Sequence, residues 1–440
     1  MLLIVLTAGI LNILISIVIL RRRSVLLVIL HLWWFGWLLI SLLSLTGLYP
    51  PSNFTIALFV LLLTSITAGA GIYALICRQR GGVPKYILWG YDRGAAFLAE
   101  TTMLKLVFFT ALPFTIFFFI RMLFLIGSEP DLAAYRAKVF GIGLGYSLLF
   151  RFPVIESINQ FVIEPINLAA LFLGVSAFIL HQRHKLLLTA FLIIILHSLM
   201  MMGRFGFHYI FMMLLFIIAC KISMRGRIAF RSIKGIIVFV VAIFVFASTV
   251  THLRSSDKLK GLRNTITMYV IDYHTVSFSI FDRDLQEPKS VLHIKSFGRS
   301  SLGPFDRIIV NMLGLFGVEK NAQPDLNGLA LMPNREVGRD PDGNPKFYNA
   351  FGSVLYSLYR DGRQMFIIFA GVIFGFLASF FSESLRYKNS YGITFLTALA
   401  FIGIYGIFQP VLEGPALLSI LIIVITYKKS SYGISESLAK

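Results

Sequence analysis

MLLIVLTAGILNILISIVILRRRSVLLVILHLWWFGWLLISLLSLTGLYP, residues 1–50, decides the fold. Residues 2–20 and 25–47 form two continuous apolar runs, and Arg21, Arg22 and Arg23 stand between them. A helix of about 20 residues crosses the hydrocarbon core of a bilayer, so this stretch reads as two spans joined by a basic turn. A β-barrel would need short alternating segments, and these runs do not alternate. No basic stretch precedes the first run. It therefore reads as a first span with its N-terminus outside, not as a cleavable signal peptide.

The same pattern recurs along the chain. Further runs lie at 56–76, 105–126, 162–180, 186–202, 207–222, 235–250, 364–381, 391–408 and 411–427. The total is about eleven spans, with ten and twelve as bounds. The 440 residues are 57% hydrophobic and 14% charged, with mean hydropathy +0.81; soluble domains carry about 25% charged residues. The expected fold class is an all-α polytopic membrane protein. Residues 141–161 interrupt their apolar start with Arg151, Pro153 and Glu156, so they are expected to be re-entrant or non-spanning.

Charge gives the orientation. With the N-terminus outside, the short inside segments hold 20 Lys and Arg and the short outside segments hold four, Arg136, Lys138, Arg151 and Arg204. Basic residues collect in cytoplasmic loops, so most of the net +19 is anchoring charge, and nucleic acid is not an expected partner. Cys77 and Cys220 fall at inside ends of separate runs, where a disulfide is not expected.

Three domains follow: a bundle of about eight spans at 1–250, an extracytoplasmic insert at 251–363, and three spans with a cytoplasmic tail at 364–440. The insert carries 15 basic and 12 acidic residues. Its apolar stretches 266–281 and 305–317 are too short to span and should pack against the bundle. Residues 318–346, rich in Pro, Asn, Gly and Asp, read as an exposed loop. Asn349 is expected to cap a helix carrying Phe351, Leu355 and Leu358 on one face, with Gly362 stopping it. The tail SSYGISESLAK reads as disordered.

Arginines gather on the outer face, among them Arg136, Arg204, Arg254, Arg299, Arg335, Arg360 and Arg363. Arg makes bidentate contacts to phosphate, so the sharp reading is a pyrophosphate site at the membrane–water boundary; the plain one is snorkelling and local ion pairs. Arg204 stands out in MMGRFGFHY, a tight turn that needs no charge, and Arg136 sits on a short helix after Pro130. Asp272 and His274 lie in an apolar stretch, and Glu413 follows Pro410 beside the last run. Each is a candidate general base, weighed against a structural hydrogen-bonding role. No nucleotide-binding, serine-hydrolase or zinc-hydrolase motif occurs, and no cofactor is expected.

Three stretches resemble the Wzy-type oligosaccharide repeat-unit polymerases: HLWWFGWLLISLLSLTGLYPPSNFTI (31–56), GRFGF (203–207), and SFGRSSLGPFDRI (296–308) with YNAFGSVLYSLYRDGRQMFIIFAGVIFGFL (348–377). Arg363 departs from the glycine usual after the Asp-Gly turn. The resemblance implies a fold like the GT-C-type polymerases and ligases, in the bacterial inner membrane, with a periplasmic site. It implies metal-independent, inverting glycosyl transfer between undecaprenyl-pyrophosphate-linked glycan donor and acceptor. Membrane lipids, a chain-length regulator and a flippase would be its further partners. Arg136, Arg204, Arg254 and Arg299 would hold the pyrophosphate carrier. Asp272, His274 or Glu413 would serve as base, and Tyr273, Tyr348 and Tyr359 would stack on sugars. An O-antigen ligase-like transferase and, in a different class, a lipid-linked oligosaccharide flippase are the alternatives.

Overall fold

The computed structural model describes residues 1–79, 93–142, 144–203, 205–225, 267–318, 320–340, 342–349 and 352–438. The described residues are mostly helical. Among the described residues, seven helices are long and apolar enough to cross a membrane. That is the architecture of a polytopic helical membrane protein. It follows from the need to satisfy every backbone polar group within the segment when no water is at hand.

The first half runs α1 (Leu2–Leu20), α2 (Val25–Leu42), α3 (Asn53–Gln79), α4 (Arg93–Leu106), α5 (Leu112–Ile126), α6 (Leu132–Val139), α7 (Pro153–Ile158), α8 (Glu164–His181), α9 (Lys185–Met200) and α10 (Phe205–Arg225). One π-helical turn joins α4 to α5 and another joins α7 to α8. The second half runs α11 (Tyr273–Gln286), α12 (Gly303–Leu315), α13 (Gln323–Leu331), β1 (Arg335–Arg339), β2 (Pro345–Tyr348), α14 (Val354–Tyr387), α15 (Ser390–Tyr405) and α16 (Ala416–Leu438). The expected span 235–250 lies outside the described residues.

Several expectations change. Within 141–161, Pro153 starts a helix whose apolar length runs on from Pro153 to His181. Pro is tolerated in a first turn, where its missing N–H would have no partner. Residues 318–346 are not a plain loop. Pro324 opens α13, and β1 pairs antiparallel with β2. The turn between these strands is built on the Asp340 carboxylate, which accepts from the backbone N–H of Asp342 and Asn344. Asn349 caps no helix; its amide donates to the Met332 carbonyl at 3.0 Å, and α14 begins at Val354. The α14 helix does break at the expected place, with non-helical angles at Gly362 and with Arg363 at φ 58°. The tail is helical as far as Leu438, and the last long helix begins at Ala416 rather than 411, after a short 3-10 turn at Val411–Glu413.

The chain divides into two compact units. The first comprises Met1–Pro84, Gly261–Glu383 and Leu399–Leu417. Here α3 and α14 pack through small residues: a Cβ on Gly375 would fall on the Ile66 carbonyl, and one on Gly371 would lie 2.7 Å from Ser65 Cβ. Such small-residue spacing lets helix backbones approach closely in a membrane, where dispersion replaces the hydrophobic drive. Trp33 and Trp34 donate their indole N–H groups to the Ile404 and Gly403 carbonyls at 3.1 and 2.7 Å. The insert is woven into this unit. Phe278 of α11 meets Phe59 edge-on at 4.7 Å, and Ser279 donates to the Tyr49 carbonyl at 2.8 Å. The α2–α3 turn joins the hairpin: Tyr49 N–H donates to the Val337 carbonyl and Arg339 N–H to the Gly47 carbonyl, both at 2.8 Å.

The second unit comprises Lys85–Lys260, Ser384–Ala398 and Leu418–Lys440. Phe118, Met122, Tyr135, Phe150 and Met200 share one of its cores. Ser390 is its polar clasp: the carbonyl accepts from the Ser176 hydroxyl at 2.9 Å, and its own hydroxyl lies 2.9 Å from the Tyr427 hydroxyl.

Candidate functional site

Glu413 is the centre of the most unusual constellation in the first unit. It ends a 3-10 turn between Pro410 and Gly414, outside the long helices, and is buried. Three donors from three separate segments converge on its Oε1. The Ser300 hydroxyl donates at 2.8 Å, the Ser357 hydroxyl at 2.6 Å, and the Asn327 amide also donates. Among the described residues no donor reaches Oε2. Burial pushes the Glu413 carboxyl up to about 7, and the three donors only partly offset that desolvation. A carboxyl group that changes state near neutrality is suited to carrying a proton.

Arg360 stands behind this acid. It is fully buried on α14. Its guanidinium donates to the Asn327 side-chain carbonyl, to Gln323 Oε1 at 2.6 Å, and to the Gln323 and Ile294 carbonyls at 3.3 Å each. All four acceptors are neutral. Arg360 thus fixes the amide of Asn327, which in turn donates to Glu413. The next residue, Asp361, holds the 296–301 turn: it accepts from the Ser296 hydroxyl at 2.5 Å and from the Ser300 and Ser301 N–H groups at 3.0 and 2.7 Å. Asp361 therefore sets the position from which Ser300 reaches Glu413. Arg299 enters the same network through Asp306, 2.6 Å away, whose other oxygen accepts from the Gln323 N–H at 2.7 Å.

Arg299 and Glu413 are therefore brought into one network, and the other candidates among the described residues are not. Asp272 is fully buried; Lys346 lies 2.6 Å from its Oδ2 and the Tyr348 hydroxyl donates to that oxygen at 2.8 Å. This pair ties α11 to the hairpin, which gives Asp272 and Tyr348 a structural task. His274 stacks on Trp37 at 4.2 Å and meets Trp33 and Phe408 edge-on at 5.1 and 4.7 Å. The preceding residue, Tyr273, is half-buried. Tyr359 is buried against Phe281 at 5.8 Å, and the Arg363 guanidinium lies 4.7 Å from its ring. Tyr348 is half-buried. Arg136 belongs to the second unit, where it donates to the Met202 carbonyl at 3.1 Å and lies over the Phe140 ring. Arg204 and Arg254 lie outside the described residues.

Ser300, Asn327, Ser357, Arg360 and Asp361 were not singled out by their sequence as partners of Glu413. One local signal existed. Ser353, Ser357, Arg360 and Asp361 recur at helical spacing in a stretch buried on every side. No family model, no curated protein and no solved structure matches the chain.

Proposed function

We propose that this chain is a membrane glycosyltransferase that polymerises undecaprenyl-pyrophosphate-linked oligosaccharide repeat units at the periplasmic face of the bacterial inner membrane. The observation that carries the proposal is the Glu413 constellation: a buried acid poised near pH 7, in a turn between two apolar helices of a polytopic membrane protein. The resemblance of residues 31–56, 203–207 and 296–377 to repeat-unit polymerases supplies the substrate class. The full count of eleven spans, the outside N-terminus and the GT-C-like arrangement belong to the same proposal.

In this reading the ionised Glu413 takes the acceptor hydroxyl proton on Oε2. The hydroxyl oxygen bonds to the donor's anomeric carbon as the bond from that carbon to the pyrophosphate oxygen breaks. Undecaprenyl pyrophosphate leaves with the electron pair, and the anomeric centre is inverted. Arg299, half-exposed and held by Asp306, meets the charge that grows on the leaving group. Arg360 is a positioning residue that acts through Asn327. The carrier bond already stores the driving energy, so no nucleotide is consumed.

Incubating purified protein with lipid-linked repeat unit is the test. A ladder of lengthened products is expected. Transfer only to a lipid A core acceptor would make the chain a ligase. Movement of the lipid between leaflets without product would make it a flippase.

A further inference from the structure

The α12 helix carries three faces with three different chemistries. Gly303, Asp306 and Val310, spaced i, i+3 and i+7, are buried. Asp306 on this face belongs to the Glu413 network, and a Cβ on Gly303 would lie 2.7 Å from Glu413 Cα. Arg307, Asn311 and Gly314 form a polar flank, where Arg307 pairs with Asp325 at 2.8 Å. The third face is apolar and exposed: Leu302, Phe305, Ile309, Met312 and Phe316 at i+3 and i+4 steps, with Leu315 beside them. Phe316 is 81% exposed and Leu315 85%.

A continuous apolar stripe of this kind is rarely left to water. Its occupant is indicated by what it adjoins. The segment just before α12 also exposes Ile294 and Phe297. Arg363 ties that segment to the start of the long apolar part of α14 by donating to the His293 and Leu292 carbonyls at 2.8 and 3.3 Å. Immediately beyond, Met365, Phe369 and Ile373 are exposed on a helix apolar enough to cross a membrane. The exposed apolar surface thus runs from a lipid-facing span onto the insert. Separate polar and apolar faces on one short helix are the signature of a helix lying in the plane of the interface.

We infer that α12 lies in the membrane interface, with Phe305, Ile309, Met312 and Phe316 among lipid acyl chains and Arg307 and Asn311 in water. The inference does not depend on the glycosyl-transfer proposal. It adds that Glu413 is held at the membrane boundary, one helix thickness from lipid.

Site-directed spin labelling of the full-length protein in lipid nanodiscs tests this. Cys77 and Cys220 are replaced by alanine, and single cysteines are placed at Ile309, Met312 or Asn311. Monodisperse elution of each labelled protein serves as the folding control. Nitroxides at 309 and 312 are expected to collide several-fold more with oxygen than with a water-soluble nickel chelate, and the order should reverse at 311. Dominant nickel collisions at all three positions would place the helix in water and overturn the inference. Exclusion of both reagents at 309 and 312 would mean that protein covers the stripe, and would overturn it equally.

Discussion

Replacing Glu413 with glutamine tests the central acid most directly, because the change keeps shape and removes titration. The carboxyl rises from 4.5 to about 7 on folding. At about 1.4 kcal/mol per unit, that rise is worth about 3 kcal/mol. The sign follows from proton counting. Below pH 4.5 both folded and unfolded chains hold the proton, and Glu413 contributes no pH dependence. Between 4.5 and about 7 the folded chain keeps a proton that the unfolded chain has released, so stability falls as pH rises. Above about 7 the whole penalty is present. Wild type should therefore lose stability relative to Glu413→Gln across that window and then run parallel to it. The usual entropy of unfolding per residue converts about 3 kcal/mol to roughly 3 °C for a chain of this length. Thermal unfolding followed by tryptophan fluorescence in detergent, at pH 4.5 to 8.5, reads the difference. Superimposable pH dependences for the two proteins would refute a buried, neutral Glu413. On the proposed function, turnover requires the ionised form. It should rise with pH through about 7 in wild type and fall by about 10²–10⁴ in Glu413→Gln, the usual contribution of a general base.

Other perturbations probe the supports. Arg360→Met leaves the acceptors of Gln323 and Asn327 without their donor, at an expected cost of about 2–5 kcal/mol. It also frees the Asn327 amide, so the Glu413 midpoint should move upward, and an unchanged midpoint would reduce Arg360 to a packing role. Gly375→Ala places a methyl on the Ile66 carbonyl, so it should lower the melting temperature by several degrees. Gly36→Ala, with nothing within 4 Å of the new carbon, should not. A cysteine at Asp342, exposed at the hairpin tip, should react with an impermeant maleimide in intact spheroplasts; protection until lysis would reverse the proposed orientation.

Much of the fold was legible because bilayer physics writes long apolar runs into the sequence. The helices over 2–20, 25–42 and 53–79 follow from hydropathy alone. The hairpin was hidden because its strands, REVGR and PKFY, are short and polar. They pair with each other, and β1 also makes backbone bonds to residues 47–49, almost 300 positions away. Asp272 and His274 looked like chemical residues because they are polar in an apolar stretch. Their partners were not legible, because Lys346 and the tryptophans beside His274 come from distant parts of the chain. Glu413 was legible as a carboxylate beside an apolar run. Its tuning was not, because every donor comes from elsewhere in the chain.

That convergence bears on why the insert exists. Ser300 lies before α12, Asn327 on α13 and Ser357 on α14, and all three meet one oxygen on a turn flanked by Pro410 and Pro415. A carboxylate so buried without donors would stay protonated well above neutrality. The donors bring its midpoint back to about 7. Two of the three come from segments whose positions depend on Asp361 and Arg360, adjacent residues just before the α14 break. Movement at that break would therefore loosen both supports together and drive Glu413 toward its protonated form. The acid's proton affinity and the fold of the insert are consequently one coupled property. A lesion in α13 or in the 296–301 turn should alter the pH response of the chain even where no residue touching Glu413 has been changed.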